Sequence, residues 1–209
     1  MELFRDFKME EMEAIVRATK MQTCKAGRIF YSPDETGEVI FLLKTGAVQI
    51  YRMSPEGRKL VIAKLPPYSF FGEMSCIGQG MYDTFAEATE DSLICTMSRR
   101  DVERLLLSKP KVALRMLEAV GKRVVDAERQ LEELAFKGLI PRVASLLLRE
   151  ARNNEVTGLS HQDIAELLGV YRETVTSALN ELKTAGIIEI GRKRIIIADS
   201  VRLERAAHE

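Results

Sequence analysis

The 209-residue chain has no tryptophan, only three cysteines and only two histidines. Cys24, Cys76 and Cys95 are odd in number, far apart and form no C-x-x-C pair. Neither a zinc ribbon nor a disulfide scaffold is therefore expected, and a reducing cytoplasm is the expected setting. His161 and His208 both lie late in the chain, which excludes a histidine-ligated zinc or haem in the N-terminal part. No apolar run approaches the ~20 residues that cross a bilayer. The opening Met1-Glu2-Leu3-Phe4-Arg5-Asp6 lacks a basic stretch followed by an apolar one, so no secretory leader and no membrane association are expected. Net charge is also missing, because 31 Lys+Arg offset 31 Asp+Glu. That argues against a generally adhesive nucleic-acid binder but leaves room for a local basic edge. No glycine-rich phosphate loop, nucleophile–base pairing or metal-ligand cluster is legible, so an enzyme is not expected.

What is present is 46% hydrophobic and 30% charged residues, enough for packed cores in two modest domains or one large one. From about Met21 to Ser98 the texture is β. Short apolar or alternating runs occur at Gly27–Tyr31, Glu38–Leu43, Ala47–Tyr51, Leu60–Leu65, Thr84–Ala88 and Ser92–Thr96. Turn residues such as Ser54-Pro55-Glu56-Gly57 separate them. Many short strands at close spacing predict an antiparallel barrel or jelly roll. A short amphipathic helix over Lys8–Thr19 is expected to precede it.

A helical texture follows. Ala113, Leu117, Val120, Val124, Ala127, Leu131 and Leu134 recur at alternating spacings of 4 and 3. This is a heptad seam with charges beside it, and it fits a partner helix in a parallel dimer better than the chain's own barrel. Gly138 and Pro141 then break the helix and mark a hinge.

The last part is mixed. A helix is expected over Pro141–Arg152. Ser160-His161-Gln162-Asp163 reads as an N-cap with an acid at N3, opening a helix to Leu168. Gly169-Val170 reads as a tight turn, and a second helix runs from about Arg172 to Ala185, stopped by Gly186. Ile187–Ile190 and Arg194–Ile197 then form a hairpin with the basic tip Arg192-Lys193-Arg194. Ile164, Ala165 and Leu168 on the first helix, and Val175, Ala178, Leu179 and Leu182 on the second, are expected to face inward. The outer face of the second helix presents Tyr171, Arg172, Glu173, Thr174, Thr176, Ser177 and Asn180. These types suit a DNA major groove: Arg can pair both guanine acceptors, Glu can accept from the cytosine amino group, and Thr can touch a thymine methyl. The hairpin tip suits phosphates. Two short helices around a glycine turn thus suggest a helix-turn-helix bound to double-stranded DNA.

At this point the residues resemble a family. Arg172-Glu173-Thr174-Val175, followed by Leu179, Leu182, Gly186-Ile187-Ile188 and a basic hairpin, resembles the Crp/Fnr family of bacterial transcription regulators. Phe71-Gly72-Glu73-Met74, ending in Thr84-Phe85-Ala86-Glu87-Ala88, resembles that family's cyclic-nucleotide phosphate cassette. Leu134-Ala135-Phe136 resembles the end of its dimerisation helix. The resemblance implies an α+β chain: a β jelly-roll sensor barrel over residues 1–108, a long dimerisation helix over 109–137, and a winged helix-turn-helix over 138–209. It implies a homodimer on a palindromic site, with RNA polymerase as partner if the protein activates. It further implies that Arg172 and Glu173 read base edges and that Ser160, His161, Gln162, Tyr171 and Lys193 approach phosphates.

The departures from the family pattern are specific. Ser177 stands where the family often has an arginine, and Tyr171 replaces a small hydroxyl residue that would cap the helix. In the cassette, Asp83-Thr84 stands where cyclic-nucleotide binders carry Arg followed by Ser or Thr. A unit pair at ~4 Å and an effective dielectric near 20 is worth about 4 kcal/mol, so the reversed sign replaces attraction by repulsion of similar size. Ala127 and Glu128 stand where base-contacting hydroxyls would be. Cyclic AMP is therefore not expected to bind, no cofactor is expected, and the effector is unidentified. An iron–sulfur sensor would need several N-terminal cysteines, and only Cys24 is near. Cys24, Cys76 and Cys95 read first as small hydrophobes, with thiol sensing as the alternative that the sequence leaves open. The competing reading is a cyclic-nucleotide-type module that regulates a protein partner, which would need neither the Arg172-Glu173 helix nor the basic wing.

Overall fold

The computed structural model describes residues 19–33, 39–72 and 84–208. They form two compact units. One takes the chain up to Arg52 together with Ile62–Val124, and the other takes Met53–Val61 with Val125–Glu209. The helix expected over Lys8–Thr19 lies outside the described residues, apart from Thr19, which is not helical.

Eight strands build the β part: β1 (Lys20–Cys24), β2 (Ile29–Tyr31), β3 (Val39–Thr45), β4 (Val48–Met53), β5 (Lys59–Leu65), β6 (Phe70–Gly72), β7 (Phe85–Ala88) and β8 (Ser92–Ser98). They make two four-stranded sheets, ordered β1-β8-β3-β6 and β2-β7-β4-β5. The registers of β1, β3 and β6–β8 are antiparallel, which is the jelly-roll arrangement expected.

Strand β3 shows why this sheet sits between two layers. Val39-Ile40-Phe41-Leu42-Leu43 is apolar without alternation because both of its faces are covered. Ile40 and Leu42 pack with Phe70, Cys95 and Met97 against Val102, Val112 and Met116. Those last three come from the helices α1 (Arg99–Ser108) and α2 (Pro110–Phe136). On the other face Leu43 joins Val48, Phe71, Ala86 and Ile94 between the two sheets. The rings of Phe30, Phe41 and Phe71 meet there at 5.1–5.5 Å.

Helix α2 has 27 residues, about 40 Å at 1.5 Å rise per residue. Gly138, in an extended conformation, then caps α3 (Leu139–Glu150). The helix expected from Pro141 thus begins two residues earlier. Pro141 falls inside its first turn, where a missing N–H is tolerated.

The second unit continues with β9 (Glu155–Thr157), α4 (His161–Leu168), α5 (Arg172–Thr184), β10 (Ile188–Gly191), β11 (Arg194–Ile197) and α6 (Ser200–His208). Its sheet is antiparallel in the order β10-β11-β9. One cluster holds this unit together, with Val143, Leu146, Leu147, Ile164, Val175, Leu179, Ile188 and Leu203 nearly inaccessible. Every residue expected to face inward on α4 and α5 is buried.

Candidate nucleic-acid interface

The site starts at Ser160. Its Oγ accepts from the Asp163 N–H at 3.2 Å, while Asp163 Oδ2 accepts from the Ser160 N–H at 2.7 Å and from its hydroxyl at 2.6 Å. This is the expected capping box, and it commits the Ser160 side chain to the helix start. At the other end of α4, Gly169 closes the helix in the left-handed region at φ +66°, which a side chain would oppose. Space is also short: a Cβ there would lie 3.0 Å from Leu60 Cδ1. Tyr171 then occupies the N-cap of α5 without any side-chain cap bond.

On α5, Arg172, Glu173, Thr174, Ser177 and Asn180 are exposed. Thr176 differs. Its hydroxyl donates to the Arg172 carbonyl at 3.0 Å and lies 2.9 Å from Nδ1 of His161. The single hydroxyl proton goes to the carbonyl, so the imidazole Nδ1–H is the donor to Oγ1. Thr176 therefore ties α5 to α4 rather than presenting a free hydroxyl to a base. The remaining His161 nitrogen, Nε2, can donate to a phosphate only in the cationic ring.

At the hairpin turn, Arg192 and Lys193 are exposed, and Lys193 adopts φ +52°. Its carbonyl accepts from the Gly158 N–H at 3.1 Å. Arg194 departs from the basic tip expected from sequence. Its Nε and Nη2 lie 2.7 and 2.8 Å from the two carboxylate oxygens of Glu155, a bidentate pair across β11 and β9. The start of α4, the start of α5 and this hairpin surround a cleft of about 300 Å³, lined by Ser160, His161, Gln162, Arg172, Lys193 and Arg194 among others. Amide and cationic donors converging beside two helix N-termini form an environment suited to phosphate oxygens.

The sensor residues divide between described and undescribed ones. Glu73 and Asp83 lie outside the described residues, as does Cys76. Gly72 ends β6 at φ +103°, and a Cβ there would lie 2.6 Å from the Val39 carbonyl oxygen. Its glycine is accounted for by the backbone alone. Thr84 is half-buried, and Ala127 and Glu128 are exposed on α2. Arg123, which no motif singled out, donates from Nη2 to the Phe70 carbonyl at 2.5 Å. Its guanidinium lies 5.2 Å from the Phe70 ring centroid, and burial lowers its pKa from the ordinary value. On the same helix Leu117 and Leu131 are each 67% exposed, Val124 50% and Leu134 53%. Ala113 and Val120 of the expected seam are half-buried, Val120 packing against the chain's own barrel cluster, so the seam is an open apolar stripe on the single chain at Leu117, Val124, Leu131 and Leu134.

These features define a helix-turn-helix head with a hairpin wing and a β jelly roll of the sensor type. Residues 21–109 match the cyclic nucleotide-binding domain and residues 141–206 the Crp-like helix-turn-helix domain. The chain is 32% identical over 188 residues to a global nitrogen regulator of Synechocystis sp., covering 85% of this chain and 83% of that protein. It is 27% identical over 207 residues to a cyclic AMP receptor protein of Thermus thermophilus, covering 98% and 96%. A solved structure of a transcriptional regulator of the Crp/Fnr family from Eubacterium rectale aligns with TM-score 0.78 at 27% identity, over 100% of this chain and 99% of that one. The chain belongs to the Crp/Fnr family of transcription regulators. Its kind is a DNA-binding regulator rather than an enzyme. No helix among the described residues is long and apolar enough to cross a membrane.

Proposed function

We propose that the chain acts as a homodimer on a palindromic DNA site and that its barrel does not take cyclic AMP. The apolar stripe of α2 is the observation that carries the dimer. Leu117, Val124, Leu131 and Leu134 recur at heptad spacing and are at least half exposed on one chain. Fully burying one such side chain contributes about 1.5–3 kcal/mol, so a parallel partner gains much from covering them all. Two heads joined this way enter successive major grooves about 34 Å apart.

In each head Arg172, Glu173, Thr174 and Ser177 face the bases, with Thr176 positioning the helix from behind. Gln162, Tyr171, Arg192 and Lys193 face phosphates, with Ser160 and His161 shaping the cleft floor. Residues 1–108 sense, 109–137 join the two copies, and 138–209 bind DNA. The setting is the cytoplasm, and RNA polymerase is the further partner if the bound dimer activates.

The case against cyclic AMP rests on side-chain chemistry. At position 83 the sequence has Asp where the family's cyclic-nucleotide pattern has a cation for the phosphate, and Ala127 and Glu128 supply no hydroxyl to a base. Gly72 is required by its backbone whether or not a ligand is present. Kinship leaves the effector open, since one relative is named for cyclic AMP and another for nitrogen regulation.

Selection from a randomised palindromic duplex library, read by gel shift, tests the DNA reading. Enrichment of a two-fold site with G/C in each half is the expected result. Enrichment of nothing favours the module that regulates a protein partner. Calorimetric titration with cyclic AMP is expected to show no binding at micromolar concentration, and micromolar affinity would overturn that part.

A further inference from the structure

We propose that Arg58, at the turn between β4 and β5, is a DNA-backbone contact beside the recognition helix. This rests on the DNA-reading role of α5 proposed above.

The turn is held tightly. The Ser54 N–H donates to the Arg58 carbonyl at 2.8 Å, the Gly57 N–H to the Ser54 carbonyl at 2.9 Å, and the Arg58 N–H to Ser54 Oγ at 3.2 Å. Met53–Val61 belongs to the same compact unit as the helix-turn-helix. Two neighbours fasten it there. Lys59 Nζ lies 3.3 Å from Glu166 Oε2, with the two side chains only 18% and 19% exposed. The Leu60 side chain fills the space over Gly169.

Arg58 is then left with a different task. Its guanidinium lies 5.3 Å from the centroid of the Tyr171 ring. Both residues are exposed. The carboxyl of Glu56 in the same turn is held below its ordinary pKa by its hydrogen bonds to Ser54 and to backbone and, more weakly, by the Arg58 charge, so Arg58 faces one solvated carboxylate as well as the ring. A planar cation is thus oriented by an aromatic face next to the first residue of α5. Its exposed guanidinium can still donate to phosphate oxygens.

The charge balance of the head gives this cation weight. Gly138–Glu209 carries ten Lys+Arg and ten Asp+Glu, and Arg194 is neutralised by Glu155. A cation brought in from residue 58 adds attraction that the head's own segment lacks. It also gives Tyr171 a role in place of the missing helix cap: the ring is a platform for Arg58.

The test is fluorescence anisotropy of the full chain on a selected palindrome and on a random duplex of equal length, over a salt series. Arg58→Ala is expected to weaken both by the same factor, roughly two- to fivefold per head. The slope of log K against log salt is expected to fall by about 0.9 per head. Arg58→Lys should keep the slope. Unchanged or tighter binding by Arg58→Ala overturns the inference, as does a loss confined to the palindrome. Arg172→Ala run alongside separates the two readings. If it relaxes base preference while Arg58→Ala is silent, only the contact fails. If the wild-type chain never prefers a palindrome, the DNA reading itself fails.

Discussion

Nδ1 of His161 lies 2.9 Å from Oγ1 of Thr176, joining the first residue of α4 to the second turn of α5. Both residues are half-buried, and each lies three positions before a buried core residue of its own helix, Ile164 or Leu179. The bond fixes the angle at which α5 is presented. Thr176→Val is expected to cost about 1–3 kcal/mol in urea denaturation, because both hydrogen bonds of the hydroxyl are lost at about 0.5–1.5 kcal/mol each. DNA affinity should fall on all sequences alike, with base preference kept. Unchanged stability with altered preference at one base pair would return Thr176 to the reading face.

Arg172 and Lys193 line the same cleft but should fail in different ways. Arg172→Ala should weaken specific binding by about 1–3 kcal/mol and relax preference at one base pair, because a bidentate contact to guanine is lost. Lys193→Ala should weaken specific and random DNA alike and mainly reduce the salt slope. Equal losses by both variants on both duplexes would contradict the division of roles.

The parts of the fold legible in sequence were those with a strong period. The inward residues of α4 and α5 and the alternating strands carry their burial pattern in their spacing, and the period of α2 marks a long helix. Other elements lacked that signal. Four of five β1 residues are exposed, so no alternation marks it. Strand β9 has three residues, too few for any period. Helix α6 buries only Leu203 and Ala207, and α1 only Val102. At the site, the capping box was legible because its partners are three residues apart. The Arg194–Glu155 pair and the Arg58–Tyr171 stack join residues far apart in the chain. Only the fold brings such residues together.

The open stripe of α2 leads to a prediction about assembly. Leu131 is 67% exposed on one chain, so Leu131→Glu should leave the monomer folded while placing a charge in a dimer seam. Sedimentation velocity is expected to show a dimer for the wild type and a monomer for the variant. Affinity for a palindrome should drop far more than affinity for a half-site, because linkage between the heads is lost. A variant that stays dimeric would place the interface elsewhere.

Gly72 allows the backbone and ligand explanations of a glycine to be separated. Gly72→Ala would force a Cβ to 2.6 Å from the Val39 carbonyl oxygen at φ +103°. The variant should lose about 1–3 kcal/mol of stability, the range for a non-glycine residue held in a strained conformation. Thermal melts without any ligand should show the loss. A melting temperature equal to wild type would mean the backbone does not require this glycine.

Cys24 and Cys95 offer a test of thiol sensing. They are 6% and 4% exposed and lie on opposite faces of one sheet. Cys24 belongs to the cluster between the sheets, and Cys95 to the cluster under α1 and α2. The register pairs Cys24 with Ser92 and Met21 with Cys95, which separates the two thiols along the strands as well. Two side chains pointing to opposite faces cannot close a disulfide without breaking the sheet. Burial also pushes the Cys95 thiol up from its ordinary pKa, which keeps the reactive thiolate scarce near neutral pH. Native labelling with iodoacetamide at pH 7 should leave both unmodified in peptide mass spectra, whereas labelling in urea should modify both. Mild oxidation should give no Cys24–Cys95 bridge. Rapid native labelling of Cys95 would show that its pocket opens, and would make the thiol a sensor after all.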